Sequence, residues 1–192
     1  MKKLLLMVAA VAVAASLHAA SASWQVTNIY KVGSTSTSTT ADRVAADTYY
    51  GYLITITESV TVAKVTDELS KAGSTAGIVS YLEGIKTASS ATTAAGKIQK
   101  DVTLSLADGS YNMFTVILDS TNGDPSTATN YLIGDTVATT VTSVGNSMIG
   151  TFNARTMTQT ASNWTAASVP EPTSGLLLLL GVASLALKRK QA

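Results

Sequence analysis

Carboxylates are the main side chains through which this chain of 192 residues could do chemistry. The sequence contains no cysteine, and its single histidine is His18, close to the N-terminus. Beyond His18, a Ser-His-Asp triad, a Cys-His pair and histidine-ligated zinc, copper, iron or haem are therefore excluded. A hydrolase that uses two carboxylic acids needs both in one cleft, within about 10 Å. The acidic residues are scattered singly, so we predict a protein that is not an enzyme and that binds no cofactor.

One loop has the oxygen-rich composition of a calcium site. It runs Asp119-Ser120-Thr121-Asn122-Gly123-Asp124-Pro125. The EF-hand order is not met, because Gly123 follows Asn122 directly and no glutamate closes the loop. An ordinary Asn-Gly-Asp-Pro turn explains the same residues. We expect the turn, with calcium binding at Asp119 to Asp124 as the alternative.

Two aromatic residues suggest an alternative to a structural role, namely binding of carbohydrate. If Tyr49 and Trp164 were exposed, their ring faces could stack on sugars, as in a surface carbohydrate-binding module. Burial of the aromatic rings would favour a structural role instead. Nucleic acid is excluded as a partner, because eleven acidic residues outnumber eight basic ones between residues 23 and 168.

The elements that position these residues are mainly strands. Alternating apolar and polar residues predict a first strand at 24–32. A central strand is predicted at 48–57, and its inward face carries four apolar side chains: Tyr50, Tyr52, Ile54 and Ile56. A run of serine and threonine at 34–40 is typical of a surface loop.

A helical insertion follows the second strand. Apolar residues at intervals of three and four predict helices near 62–72 and 76–87. Thr61 or Ser59 would cap the first helix, Ser74 or Thr75 would cap the second, and Gly73 would end the first. Residues 89–96 predict a polar connection back to the sheet.

Two turn signals in the C-terminal half predict hairpins. Asp108-Gly109 would join a strand at 102–106 to one at 111–118, which we expect at the centre of the sheet. Gly145-Asn146 would join 137–143 to 148–152. The predicted fold is mainly β, with α+β at the margin: an antiparallel sheet or β-sandwich with a two-helix insertion. Residues 23–168 would form this domain as a soluble monomer, without disulfides.

The N-terminus has the features of a secretory signal peptide. Met1-Lys2-Lys3 is basic, residues 4–17 are apolar, and Ala20 and Ala22 are small residues that a signal peptidase accepts. Residues 1–22 therefore predict a signal helix that directs the chain to the Sec translocon. Cleavage by signal peptidase would leave Ser23 as the first residue, and His18-Ala19-Ala20 allows cleavage a few residues earlier.

The C-terminal segment combines a rigid motif, an apolar run and a basic cluster. Pro170-Glu171-Pro172 is followed by apolar residues 175–187 and then by Lys188-Arg189-Lys190. As a helix the apolar run would be about 20 Å long, against a hydrocarbon core of about 30 Å. It predicts a short transmembrane helix at 174–187, with Lys188, Arg189 and Lys190 in the cytoplasm. Residues 169–192 resemble the PEP-CTERM sorting signal of exported bacterial proteins.

This resemblance implies a destination for the protein. In the family an exosortase, a membrane enzyme with a cysteine nucleophile, processes the chain near the Pro-Glu-Pro element. The precursor would lie in the inner membrane, and the product at the cell surface or outside the cell. Carriers of the signal tend to be linked to exopolysaccharide and surface matrix, so exopolysaccharide is a candidate partner. The resemblance assigns no catalytic or ligand-binding residue to the domain.

Overall fold

The computed structural model describes residues 20–34, 40–142, 146–148, 152–153 and 164–167. Within these residues there are ten strands and two α-helices, and their bounds follow in chain order: β1 Ala20–Thr27, β2 Tyr50–Thr55, α1 Val62–Lys71, α2 Thr75–Ile85, β3 Ala88–Ala91, β4 Lys97–Leu104, β5 Gly109–Leu118, β6 Asn130–Ile133, β7 Val137–Val141, β8 Asn146–Met148, β9 Phe152–Asn153 and β10 Thr165–Ala166. These elements form two stacked sheets with a layer of helices on one of them.

The first sheet is built around β1. This strand pairs antiparallel with β4 over its whole length, from Ala20 opposite Leu104 to Thr27 opposite Lys97. On its other edge β1 pairs in parallel with β8 and then with β9. The strand ends at Thr27, earlier than the predicted residue 32, because Asn28 adopts a left-handed conformation with φ of 58°.

The second sheet has β5 at its centre and the strand order β10-β6-β5-β2-β3. The same edge of β5 pairs first with β7 and then with β6. Between those two strands, residues 134–136 oppose only Phe114 and Thr115, and the N–H of Gly134 donates to the carbonyl oxygen of Thr115 at 2.7 Å. The extra residue makes a β-bulge, which bends the strand without breaking the edge.

The two predicted hairpins are wrong. β4 and β5 are joined by residues 105–108, and the predicted turn residue Gly109 already belongs to β5, but β4 pairs with β1 in the first sheet and β5 lies in the second. The same holds for β7 and β8, since β8 pairs with β1. The chain therefore crosses between the sheets at these points. Burial explains why the strands do not form hairpins. When consecutive strands enter opposite sheets, their apolar faces meet in the same core.

The core between the sheets contains Trp24, which is fully buried. Its indole N–H donates to the hydroxyl of Thr115 on the opposite sheet at 3.3 Å. Gly51 of β2 lies against this ring, and a Cβ atom there would come within 2.5 Å of the Ile98 side chain. The other buried members of this core include Ala22, Val26, Leu53, Val102, Leu104, Met113, Ile117, Leu132 and Val141.

The helices cover the outer face of the second sheet. Val65 and Leu69 of α1 and Ile78 and Leu82 of α2 are buried. They pack against β2, β5 and β6 through a second apolar cluster that includes Tyr52, Ile54, Phe114, Val116, Leu118 and Tyr131. The predicted shared face of Tyr50, Tyr52, Ile54 and Ile56 is confirmed, but it packs against the helices. The opposite face of β2, with Leu53, is buried in the core between the sheets.

Helix starts agree with the sequence, because they depend on local hydrogen bonds. The hydroxyl of Thr61 accepts from the N–H of Lys64, and that of Ser74 accepts from the N–H of Gly77. The mainly β fold with antiparallel sheets and two helices is thus confirmed. The polar connection predicted at 89–96 is partly wrong, since β3 occupies its beginning and pairs with β2.

Residues 1–19 of the predicted signal helix at 1–22 and the whole predicted transmembrane helix at 174–187 lie outside the described residues. Residues 20–22 are described, and they form the start of strand β1 instead of a helix. In the part of the chain that the structure describes, no helix is long and apolar enough to cross a membrane. The helices α1 and α2 have ten and eleven residues.

Candidate functional site

Four residues, 164–167, are docked on the domain shortly before the segment that resembles a sorting signal. We call Trp164–Ala167 the C-terminal clamp. Its strand β10 extends the second sheet, with Thr165 opposite Tyr131 and Ala166 opposite Asn130. The N–H of Ala167 donates to the carbonyl oxygen of Thr129 at 2.7 Å. The clamp therefore fixes where the chain leaves the domain.

Both ends of the clamp insert into apolar cores. Trp164 is 5% exposed and joins the core between the sheets. Its ring meets that of Tyr49 edge to face, with centroids 5.5 Å apart and planes at 83°. Ala167 is 2% exposed and joins the core between sheet and helices. The carbohydrate-binding alternative required an exposed Trp164, and this packing removes its ring from solvent.

Asp119 organises the strand on which the clamp docks. Its Oδ1 accepts hydrogen bonds from the N–H groups of Thr129 at 2.7 Å and Asn130 at 2.5 Å. Its Oδ2 accepts from the Thr129 hydroxyl and from the Asn130 side-chain amide, both at 2.7 Å. All four bonds hold the start of β6, so the carboxylate is used to position this strand.

Tyr49 connects the clamp to a surface cavity. Its hydroxyl accepts from the N–H of Val32 at 3.1 Å. Burial raises the pKa of Tyr49, the Val32 hydrogen bond opposes this, and the charge of Asp119 adds to the rise. The cavity beside the ring has a volume of about 360 Å³, and its other lining residues include Lys31, Thr48, Asp119, Ser120 and Asn122.

The loop from Asp119 to Asp124 forms a turn that its own hydrogen bonds hold. Asn122 and Gly123 adopt left-handed conformations, with φ of 53° and 67°. Asp124 Oδ1 accepts from the N–H of Ser126 at 2.9 Å and from its hydroxyl at 2.7 Å. These bonds lower the pKa of Asp124. Among the described residues there is no group of three or more His, Cys, Asp or Glu side chains that could hold a metal ion.

The predicted signal peptidase site lies at the start of β1. Ala20 pairs with Leu104 and Ala22 with Val102, and Ala22 is fully buried. The sorting residues Pro170, Glu171, Pro172, Lys188, Arg189 and Lys190 lie outside the described residues. Cleavage after Ala22 stays a prediction. If it occurs, Ser23 to Thr27 remain to pair with β4.

Sequence reasoning missed the clamp and the role of Asp119. A signal for the clamp was present, since Trp164 is the only aromatic residue between Phe152 and the Pro-Glu-Pro element. A single large apolar residue in a polar segment can anchor that segment to a core. No comparable signal marked Asp119, whose partners lie beyond the turn.

Comparison with protein families places a known motif at the C-terminal side of the clamp. Residues 168–190 match the PEP-CTERM protein-sorting motif. Neither a curated protein nor a solved structure matches the chain. The match confirms the sequence resemblance and begins one residue after Ala167. The chain therefore carries a PEP-CTERM protein-sorting motif, which implies export, passage through the membrane and processing by an exosortase.

Proposed function

We propose that the protein is an exported, non-enzymatic component of the cell surface or extracellular matrix. The observation that carries this proposal is the sorting motif at residues 168–190, placed directly after a folded domain. In this account the Sec translocon delivers the chain and signal peptidase removes residues 1–22. The C-terminal segment then holds the precursor in the inner membrane until an exosortase processes it near Pro170-Glu171-Pro172.

The chemistry of the domain supports a role without catalysis. Beyond His18 the sequence has neither histidine nor cysteine, the usual bases and nucleophiles of hydrolytic sites. The carboxylate of Asp119 accepts four hydrogen bonds from Thr129 and Asn130, and that of Asp124 accepts two from Ser126. Carboxylates saturated in this way stabilise turns and strands.

A direct test replaces Pro170, Glu171 and Pro172 together with alanine in the full-length chain. The variant should accumulate as precursor in the inner membrane, because the processing enzyme loses the residues that it recognises. Its surface and medium fractions should fall at least about tenfold. Fractionation and immunoblotting provide the measurement. Pro125→Ala is the matched control, because it changes a proline within the domain. Surface delivery of the triple variant at the wild-type level would refute the proposal.

The basic cluster tests the membrane orientation of the precursor. Changing Lys188, Arg189 and Lys190 together to glutamine removes the charges that resist translocation. A reporter fused after Ala192 should be cytoplasmic in the wild type and mixed or external in the triple variant. An external reporter in the wild type would contradict the membrane-held precursor.

A second candidate function is a carbohydrate-binding module, and the cavity beside Tyr49 is the observation that favours it. Trp164 no longer contributes an exposed ring, so the half-buried Tyr49 would supply the apolar contact. An NMR titration of the isotope-labelled domain with exopolysaccharide distinguishes the two candidate functions. Saturable shifts at Tyr49 and Asn122, abolished by Tyr49→Ala, would favour the module. Unchanged spectra would favour the structural component.

A further inference from the structure

We propose that the C-terminal clamp controls access of the processing enzyme to the sorting motif. The enzyme acts on molecules in which Trp164–Ala167 have left the domain, and the closed clamp protects the chain. This inference rests on the proposed function, because it assumes processing near Pro170.

The first argument is the short distance along the chain between clamp and motif. Only Ser168 and Val169 separate Ala167 from Pro170. A peptide-binding enzyme takes up several residues of extended chain, through main-chain hydrogen bonds and pockets for alternate side chains. In the closed clamp the N–H of Ala167 is bonded to Thr129, and Trp164 is buried. These residues cannot occupy the domain and an enzyme cleft at the same time.

The second argument is that the clamp can open without unfolding of the domain. β10 has two residues and lies at the edge of its sheet, so it has few backbone bonds to break. Short edge elements open locally at a lower free energy than the sheet's centre. When opening and closing are fast, proteolysis follows the population of the open form. The rate of processing should therefore depend on how tightly the clamp is held.

Asp119 acts as a positioning residue in this arrangement. Its carboxylate holds Thr129 and Asn130, and these two residues provide the partners of Ala167 and Ala166. Loss of the carboxylate should raise the open population indirectly, by releasing the start of β6.

The test is pulse–chase processing of full-length precursor in cells that carry the sorting system. Asn130→Cys combined with Ala166→Cys places two thiols directly opposite each other on β6 and β10. The chain has no other cysteine, so one bond can form. The oxidised variant should be processed at least about threefold more slowly than the same variant kept reduced, since its open population is reduced. The wild-type chain, which has no cysteine, is followed under both conditions to correct for any effect on the enzyme's own cysteine. Thiol labelling confirms the oxidation state.

Trp164→Ala provides the opposite change, because it removes the anchor. It should be processed at least about threefold faster than the wild type, as the open population rises. Asp119→Asn should accelerate processing in the same direction. Equal rates for the oxidised and reduced double-cysteine variant would overturn the proposal, even if Trp164→Ala were degraded.

The alanine variant of Pro170-Glu171-Pro172, followed in the same cells, separates the two proposals. If it is processed like the wild type, the proposed function fails, and the clamp proposal fails with it. If it is not processed while clamp variants match the wild type, the clamp proposal alone is overturned.

Discussion

At its N-terminal end the described domain begins with the eight-residue strand β1, whereas at its C-terminal end it closes with the two-residue strand β10. A processing signal overlaps the first strand, and another follows the last strand in sequence. The predicted signal peptidase site, Ala20 to Ala22, lies within β1 and pairs with β4 residue by residue. The PEP-CTERM motif starts at residue 168, beyond β10.

This difference indicates when each signal can be used. Ala22 and Trp24 are fully buried in the folded domain, so a peptidase could reach the first site only before β1 pairs. Cleavage during translocation satisfies that condition. The second site lies outside the docked strand, and only the small clamp separates it from the folded domain. If signal peptidase cleaves after Ala22, folding would end access to the first site, and under the clamp proposal it would regulate access to the second.

The largest predicted effect contrasts the two buried tryptophans. Trp24→Ala should lower the free energy of unfolding by about 3–5 kcal/mol, because the ring is fully buried in a rigid core. Trp164→Ala should cost less, about 1–3 kcal/mol, since the short clamp can detach while the rest stays folded. Urea unfolding of the secreted domain gives both values. An equal or larger loss for Trp164→Ala would mean that the clamp is integral to the core.

A second prediction compares two aspartates of one loop. Asp119→Ala should cost about 2 kcal/mol or more, because the N–H groups of Thr129 and Asn130 lose a charged acceptor. Asp124→Ala should lower the free energy of unfolding less than Asp119→Ala does, because the Asp124 carboxylate accepts hydrogen bonds from the exposed Ser126. Thermal melting of both variants gives the comparison. A calcium chelator should leave wild-type melting unchanged. A large effect of Asp124→Ala, reproduced by the chelator, would instead establish a metal site.

The smallest predicted effect is a pH dependence from the sheet–helix core. Burial, and then the charge of Glu83, raises the pKa of Tyr52 above its usual value. The stability due to the protonated phenol is complete below about pH 10 and falls as the pH rises from there toward the folded-state pKa, by at most about 1.4 kcal/mol per pH unit.

Urea unfolding between pH 8 and 11 checks this dependence. Tyr52→Phe should flatten the alkaline loss of stability. Tyr81→Phe should flatten it less, because the phenol of Tyr81, whose pKa is also raised by burial and by Glu68, lies at a more exposed position. Identical slopes for the wild type and Tyr52→Phe would show that Tyr52 does not titrate differently in the folded state.

Local features of the fold could be predicted from the sequence, whereas strand partners could not. Thr61 and Ser74 mark helix starts through hydrogen bonds within three residues. The apolar run of β5 marks a strand buried on both faces, as the structure confirms. Asp108-Gly109 predicted a two-residue turn, but Gly109 belongs to β5, and the dipeptide does not indicate which sheet the chain enters. That choice depends on which faces share a core, and periodicity along one strand does not contain this information.

The candidate site likewise has one part that could be predicted from the sequence and one part that could not. The sorting motif is a contiguous pattern, so its residues are recognisable without a structure. The clamp depends on contacts between segments far apart in sequence, such as Trp164 with Tyr49 and Asp119 with Asn130. Such contacts become visible only once the layers are assembled.

The most direct test of the account is the intact mass of the protein isolated from the cell envelope and from the medium. We predict a mature chain that begins at Ser23, retains Trp164–Ala167 and ends within residues 168–175, without Lys188-Arg189-Lys190. A C-terminus before Trp164 would contradict the clamp as the boundary of the domain. A surface-located species that still carries Lys188-Arg189-Lys190 would contradict the central claim that the tail is a sorting signal removed outside the folded domain.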